Sequence, residues 1–251
     1  MLLHGFPQSS YEWRAQLRAL GAAGYRAIAP DQRGYSPRAR PIGVDHYRAE
    51  HLVGDVISVA DALGVDRFHL VGHDWGAAVA WHVAGRHAQR LRTLTPVSVP
   101  HPAAFSDALL GDDQRQRSSY IDLFRQEGKA EEVLLEDGGN RMRAMLSGSG
   151  LGDDVEEYVT RMLQPGAMTA ALNWYRAVDI GSVKGLGPIT TPTMFVWSTA
   201  DMALGREGAE ATGKHVDGPY RFEVLEGVSH WIPEAAADEL NLLLLDHLSS
   251  A

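Results

Sequence analysis

Val71-Gly72-His73-Asp74-Trp75-Gly76-Ala77-Ala78 is the stretch on which the reading of this chain turns. The β-prone run Arg67-Phe68-His69-Leu70-Val71 stops at Gly72, a carboxylate follows at Asp74, and a small-residue helical pattern begins at once, from Gly76 to Gly85. This is a strand, a sharp turn and a helix, with glycine two positions before and two after the apex. The apex of such an elbow is strained, and only small neighbours at those two positions let the backbone turn so tightly. Serine at the apex would suit acyl transfer. A carboxylate suits in-line attack on a saturated carbon. A lone aspartate after a strand is often only a helix N-cap, but the paired glycines and the Trp-Gly-Ala-Ala continuation favour a nucleophile.

Working outward, Met1-Leu2-Leu3 reads as the end of a buried strand entering the loop His4-Gly5-Phe6-Pro7. Tyr11 to Ala23 is predicted helical, with Trp13, Leu17 and Leu20 on one face, and Tyr25–Pro30 is predicted as a short strand ending in a turn at Asp31–Tyr35. His46 to Leu63 places Leu52, Val56, Val59 and Leu63 at helical spacing. The elbow follows, then a strand over Leu91–Val97. Strands alternating with helices imply a mainly parallel sheet covered on both faces. From Pro100 to about Lys184 no strand is expected, and helical stretches are separated by polar loops such as Glu136-Asp137-Gly138-Gly139-Asn140. The alternation resumes with a strand over Thr193–Trp197, a helix near Arg206–Lys214, a strand over Tyr220–Leu225 and a helix over Glu234–Leu248. The expected organisation is an α/β core at 1–100 and 185–251, interrupted by a helical cap at 101–184.

Composition narrows the function. The 251 residues fit one α/β domain with an insertion, and 45% apolar content supplies a substantial core. A net charge of -9 argues against a nucleic-acid or anionic-membrane partner. With no cysteine there is no disulfide framework, thiolate metal site or cysteine nucleophile. No cofactor or metal is expected. There is no run of 18 apolar residues and no secretory pattern at the N-terminus, so a cytoplasmic protein is expected. The sequence leaves homo-oligomerisation open.

Nucleophilic catalysis needs a nucleophile, a base and a group that orients the base. Open parallel sheets build their sites beyond the carboxyl ends of the strands. Asp74, Asp201 and His230 all follow predicted strand ends. Each alone has a plainer reading: Asp201 as a loop or capping residue, His230 as one partly buried histidine among 11. Together, in the order nucleophile, acid, histidine, they form the triad order of an α/β-hydrolase. The backbone N–H groups of Phe6 and Trp75 are candidates for an oxyanion hole. His73 and His101 are read as structural.

These residues carry a resemblance. His4-Gly5-Phe6-Pro7 with Glu12-Trp13-Arg14, Pro30-Asp31-Gln32-Arg33-Gly34-Tyr35, Gly72-His73-Asp74-Trp75-Gly76 and Gly227-Val228-Ser229-His230-Trp231 resemble the α/β-hydrolase fold family, in its epoxide hydrolase branch. The resemblance covers nearly the whole chain. It implies two cap tyrosines that donate hydrogen bonds to an epoxide oxygen, here Tyr175 in Asn173-Trp174-Tyr175-Arg176 and Tyr120 in Ser119-Tyr120-Ile121-Asp122. The plainer reading of either is a tyrosine packed at a helix interface. It also implies an ester on Asp74, hydrolysed by water that His230, held by Asp201, activates. The expected substrate is a small apolar epoxide.

Two dehalogenase families compete. A haloalkane dehalogenase would use the same three residues, but resemblance to that family predicts asparagine where Phe6 stands. A fluoroacetate dehalogenase prefers arginine where Trp75 stands. A non-catalytic, ligand-binding member of the fold would be expected to lose part of the triad. The family resemblance further implies two strands ahead of His4. Either the start at Met1 lies inside a longer reading frame, or the sheet lacks its first edge and exposes apolar surface at a cost in stability and solubility.

Overall fold

Strand β4 (Thr193–Ala200) shows how this sheet is covered. Met194 and Val196 pack with Trp13, Leu20, Leu240 and Leu244 on one face, while Phe195 and Trp197 pack with Phe105 and Ala209 on the other. Successive strand residues point to opposite faces, so a strand with a continuous apolar run, here Met194 to Trp197, must be buried on both. The computed structural model describes residues 1–177, 182–183 and 186–250. Its sheet has five strands in the order β1-β2-β3-β4-β5, all parallel: β1 (Leu2–Leu3), β2 (Phe68–His73), β3 (Leu91–Val97), β4 and β5 (Tyr220–Ser229).

Helices α1 (Arg14–Ala22), α2 (Ala49–Ala62) and α3 (Trp75–Arg86) connect the first strands. Between β3 and β4 lie α4 (Pro102–Ala108), α5 (Asp112–Arg117), α6 (Tyr120–Phe124), α7 (Lys129–Leu146), α8 (Val155–Met162) and α9 (Ala167–Ala177). Then follow α10 (Arg206–Ala211), α11 (Ile232–Ala235) and α12 (Ala237–Ser249). Helices α1 and α12 cover one face of the sheet, where Trp13, Leu240 and Leu244 are wholly buried against Leu2, Val71 and Val97. Helices α2 and α3 cover the other, joined by Leu3, Leu70 and Leu94 and by residues of α7 to α9. Each such fully buried aliphatic side chain contributes about 1.5–3 kcal/mol.

Tyr25–Pro30 is not a strand. It makes one ladder-like bond, from Leu2 N–H to the Ile28 carbonyl at 2.9 Å. Its neighbour β1 is only two residues long and spends its other edge on β2, so no run of paired residues can form. A cleft of about 710 Å³ opens along this edge, lined by Met1, Leu3, Pro30, Leu52, Val56 and Trp174. It lies away from Asp74.

Other expected elements are interrupted rather than absent. The predicted His46–Leu63 helix is broken at Arg48, whose ψ of 152° is extended, so a tight turn over Val44–Tyr47 precedes α2. The C-terminal helix is broken at Ala236. Glu136 to Gly139, read as a loop, is a non-helical break within α7, with Asp137, Gly138 and Gly139 at positive φ. The expected 184/185 boundary of the helical segment falls on Lys184 and Gly185, outside the described residues. Among the described residues, no helix is long and apolar enough to cross a membrane.

Candidate active site

The site is assembled where β2, β4 and β5 end. Asp74 follows β2 at the elbow with φ 51° and ψ -120°, a positive φ that few non-glycine residues adopt. The flanking glycines make the turn sterically possible. A Cβ on Gly72 would lie 2.3 Å from the Gly76 carbonyl oxygen, and a Cβ on Gly76 would lie 2.0 Å from that of Leu3. The Asp74 carbonyl accepts from Ala77 N–H at 2.9 Å, starting α3, but its side chain does not cap the helix. Instead Oδ1 accepts from the Phe6 backbone N–H at 2.8 Å. The plain N-cap reading of Asp74 therefore fails on geometry.

His230, after β5, joins the two carboxylates. Its Nδ1 is 2.7 Å from Asp201 Oδ2 and its Nε2 is 3.6 Å from Asp74 Oδ2. The other Asp201 oxygen accepts from Ala203 N–H at 2.8 Å and Leu204 N–H at 2.9 Å, which leaves Oδ2 aimed at the imidazole. Burial disfavours the imidazolium. The Asp201 charge and hydrogen bond, and then those of Asp74, outweigh it and push the His230 pKa up to about 10. Burial likewise opposes ionisation of Asp74, but His230 beside it and the Phe6 N–H hold its carboxyl below the usual range. The free site is thus a carboxylate–imidazolium pair.

The helical segment faces this pair with aromatic rings. Tyr175, on α9, is buried, its ring 4.9 Å from Trp75 and 5.5 Å from Phe6, both edge-on. Tyr120, on α6, lies 6.3 Å from Tyr175, with Phe124 packed against both. Burial, with Asp74 among the nearby charges, raises both tyrosine pKa values well above the ordinary phenol value. Every residue singled out from the sequence for the site, namely Asp74, Asp201, His230, Tyr175, Tyr120, Phe6 and Trp75, lies in this one region. Trp75 N–H belongs to the first turn of α3, where backbone donors lack partners inside the helix.

Sequence reading missed four neighbours. Phe124 packs 5.3 Å from Phe6. Tyr35 is buried, with a hydroxyl lacking a partner and an ionisation that Asp74 disfavours. Ser98, at φ 69°, donates from Oγ to the His230 carbonyl at 2.9 Å. Glu12 is wholly buried beside His73. Glu12 and Tyr35 lie in segments that carry the family resemblance, but their place beside the site, like that of Phe124 and Ser98, is set by tertiary packing. His101 caps α4, accepting from Ala103 N–H at 3.2 Å. Among the described residues, no group of three or more His, Asp or Glu side chains is arranged to hold a metal.

Comparison with known proteins gives the family. Residues 1–236 match the family model described as the alpha/beta hydrolase fold. The chain is 37% identical over 260 residues to the AB hydrolase superfamily protein YfhM of Bacillus subtilis, covering 100% of this chain and 90% of that protein. It is 31% identical to epoxide hydrolase A of Mycobacterium tuberculosis, covering 99% and 89%. Among solved structures, epoxide hydrolase A of Mycobacterium thermoresistibile superposes with a TM-score of 0.84 at 30% identity, covering 99% of this chain and 90% of that one. An epoxide hydrolase from hot-environment metagenomes does so at 0.86 and 32%, covering 98% and 89%. The chain therefore belongs to the α/β-hydrolase fold family, in its epoxide hydrolase branch.

Proposed function

We propose that this chain hydrolyses small apolar epoxides to vicinal diols through a covalent ester on Asp74. The observation that carries the reading is the position of Asp74: a carboxylate at an elbow apex, held by the Phe6 N–H and not used as a cap, with His230 at 3.6 Å and Tyr175 of the helical segment buried against Trp75 beside it. Residues 101–184 act in this reading as a cap that closes the site from water.

In the first step an Asp74 oxygen attacks an epoxide carbon, the ring C–O bond breaks, and the leaving oxygen takes a proton from Tyr175, with Tyr120 as its partner. Buried tyrosines resist standing ionised, so the tyrosinate left behind is a strong proton acceptor. Esterification also removes the negative charge of Asp74, one of the groups that holds the His230 imidazolium. The proton of His230 then restores the tyrosine and leaves a neutral imidazole. In the second step His230 takes a proton from water as its oxygen attacks the ester carbonyl. The Phe6 and Trp75 N–H groups stabilise the oxyanion, and Asp201 steadies the new imidazolium. The intermediate then collapses, the departing diol oxygen takes the proton of the newly formed carboxyl group, the diol leaves, and the carboxylate–imidazolium pair returns. A haloalkane dehalogenase is less well served, since Phe6 has no side-chain donor for a halide and Tyr175 would have no task.

The test is a single turnover in heavy-oxygen water with panels of small epoxides and haloalkanes. Diol formation with label entering the Asp74 carboxylate is expected. Halide release without diol from any epoxide would replace the assignment with a dehalogenase.

A further inference from the structure

Behind His230 lies a buried pair to which the proposed chemistry gives no task. The Glu12 and His73 side chains are fully shielded from solvent, with Glu12 Oε2 at 3.3 Å from His73 Nδ1. On its far side, His73 Nε2 is 3.0 Å from the backbone carbonyl of His230. The His73 and His230 rings pack with centroids 4.9 Å apart.

The protons of this chain of contacts can be assigned. A carbonyl oxygen only accepts, so His73 Nε2 carries a hydrogen. Burial, and then the charge of His230, drive the His73 pKa down to about 3, so the ring is neutral and Nδ1 offers a lone pair. The hydrogen in the contact with Glu12 must then come from the carboxyl group. Glu12 Oε1 has no hydrogen-bond partner, a costly state for an ionised carboxylate in a dry interior. Burial, with Glu234 and Asp74 nearby, outweighs a backbone hydrogen bond from Gly5 and raises the Glu12 pKa well above the carboxylate range.

We infer that Glu12, in its protonated form, is a positioning residue for the base. By donating to His73 Nδ1 it selects the tautomer whose Nε2–H grips the His230 carbonyl, and so holds the imidazole between Asp201 and Asp74. Ser98 Oγ grips the same carbonyl at 2.9 Å, which leaves the His230 backbone little freedom. Loss of the Glu12 proton donor frees His73 to adopt the other tautomer, in which a lone pair faces the His230 carbonyl and repels it. The inference rests on His230 acting in ester hydrolysis. It predicts a defect in the second step only, because ring opening uses Asp74 and the tyrosines.

The test uses Glu12→Leu and Glu12→Gln in the full chain, with styrene oxide as probe, rapid quench and intact-mass detection of the adduct. In Glu12→Leu, ester formation is expected to keep its rate while ester hydrolysis falls about tenfold or more, so that the adduct accumulates. In Glu12→Gln the amide N–H₂ can still donate to Nδ1, and most of the hydrolysis rate is recovered. Equal slowing of both steps in Glu12→Leu, or unchanged hydrolysis, would overturn the inference. Imidazole nitrogen NMR of the unreacted protein decides it separately: His73 is expected in the Nε2–H form in the unsubstituted chain and to lose that preference in Glu12→Leu. A His73 protonated at Nδ1, or indifferent to the substitution, refutes the role of Glu12. Absence of any adduct in both the unsubstituted chain and Glu12→Leu, despite diol formation, counts against the ester mechanism, while the NMR result still decides the role of Glu12.

Discussion

Asp74 combines an unfavourable backbone conformation with a carboxylate kept ionised in a half-buried place, and both features have testable consequences. Asp74→Asn removes the proposed nucleophile while preserving shape, and turnover is expected to drop on the order of 10³-fold or more. Steady-state diol formation checks this. Tyr175→Phe removes the proposed acid, and a loss of about 10²-fold or more is expected in single-turnover ring opening. An unchanged rate would take Tyr175 out of the mechanism. The charge state of His230 also bears on stability. Its folded pKa of about 10 lies above the ordinary histidine value of 6.5, so its contribution is fully present below pH 6.5 and is lost as pH rises through 10. Melting temperature should therefore fall more between pH 7 and 10 in the unsubstituted chain than in His230→Gln. Parallel curves for the two proteins would argue against the charged pair.

At the scale of elements, the elbow depends on close backbone approach rather than on side-chain packing. A methyl group at Gly76 would meet the Leu3 carbonyl at the end of β1, next to the loop that carries the Phe6 N–H. Gly76→Ala is expected to cost about 1–3 kcal/mol, as overpacking does, and to lower activity as the Phe6 N–H shifts from Asp74. Urea unfolding and turnover measured together check both, and a variant with an unchanged midpoint would mean that the contact relaxes freely. The helical segment is tied down near the same region. Tyr158 of α8 donates to Glu234 at 2.7 Å, and Arg14 bridges Glu234 and Asp154. The outlines of these elements were largely legible in the sequence, because hydrophobic spacing follows backbone geometry. Their interruptions at Arg48 and Ala236 were not, whereas the polar, glycine-rich Glu136–Gly139 was legible as a loop.

Across the whole molecule, buried titratable groups set the response to acid. His4 and His82 are held down to about 4, and His73 and His101 to about 3, with burial the leading cause in each. A histidine with a depressed folded pKa costs stability as pH falls below 6.5, because only the unfolded chain takes up the proton. Glu12 and Glu234, whose pKa values are raised, act in the opposite sense. The histidines outnumber them. Stability is therefore expected to fall between pH 6.5 and 5, at about 1.4 kcal/mol per pH unit for each net proton taken up on unfolding. Chemical denaturation at a series of pH values measures this slope, and a flat profile would contradict the buried neutral state of these histidines.

The sequence by itself determined the alternation of strands and helices, the elbow and the order Asp74, Asp201, His230, because these depend on local spacing and chain order. Tertiary structure decided the rest. It brought His230 to 2.7 Å from Asp201 and turned the Asp74 side chain onto the Phe6 N–H instead of its own helix. It reduced the pairing of Tyr25–Pro30 with β1 to a single ladder-like hydrogen bond for want of a long enough neighbour. It also placed Glu12, 61 residues away along the chain, against His73. The division has a physical cause: backbone periodicity is written residue by residue, whereas burial, proton position and pairing distance exist only once distant segments exclude water from one another.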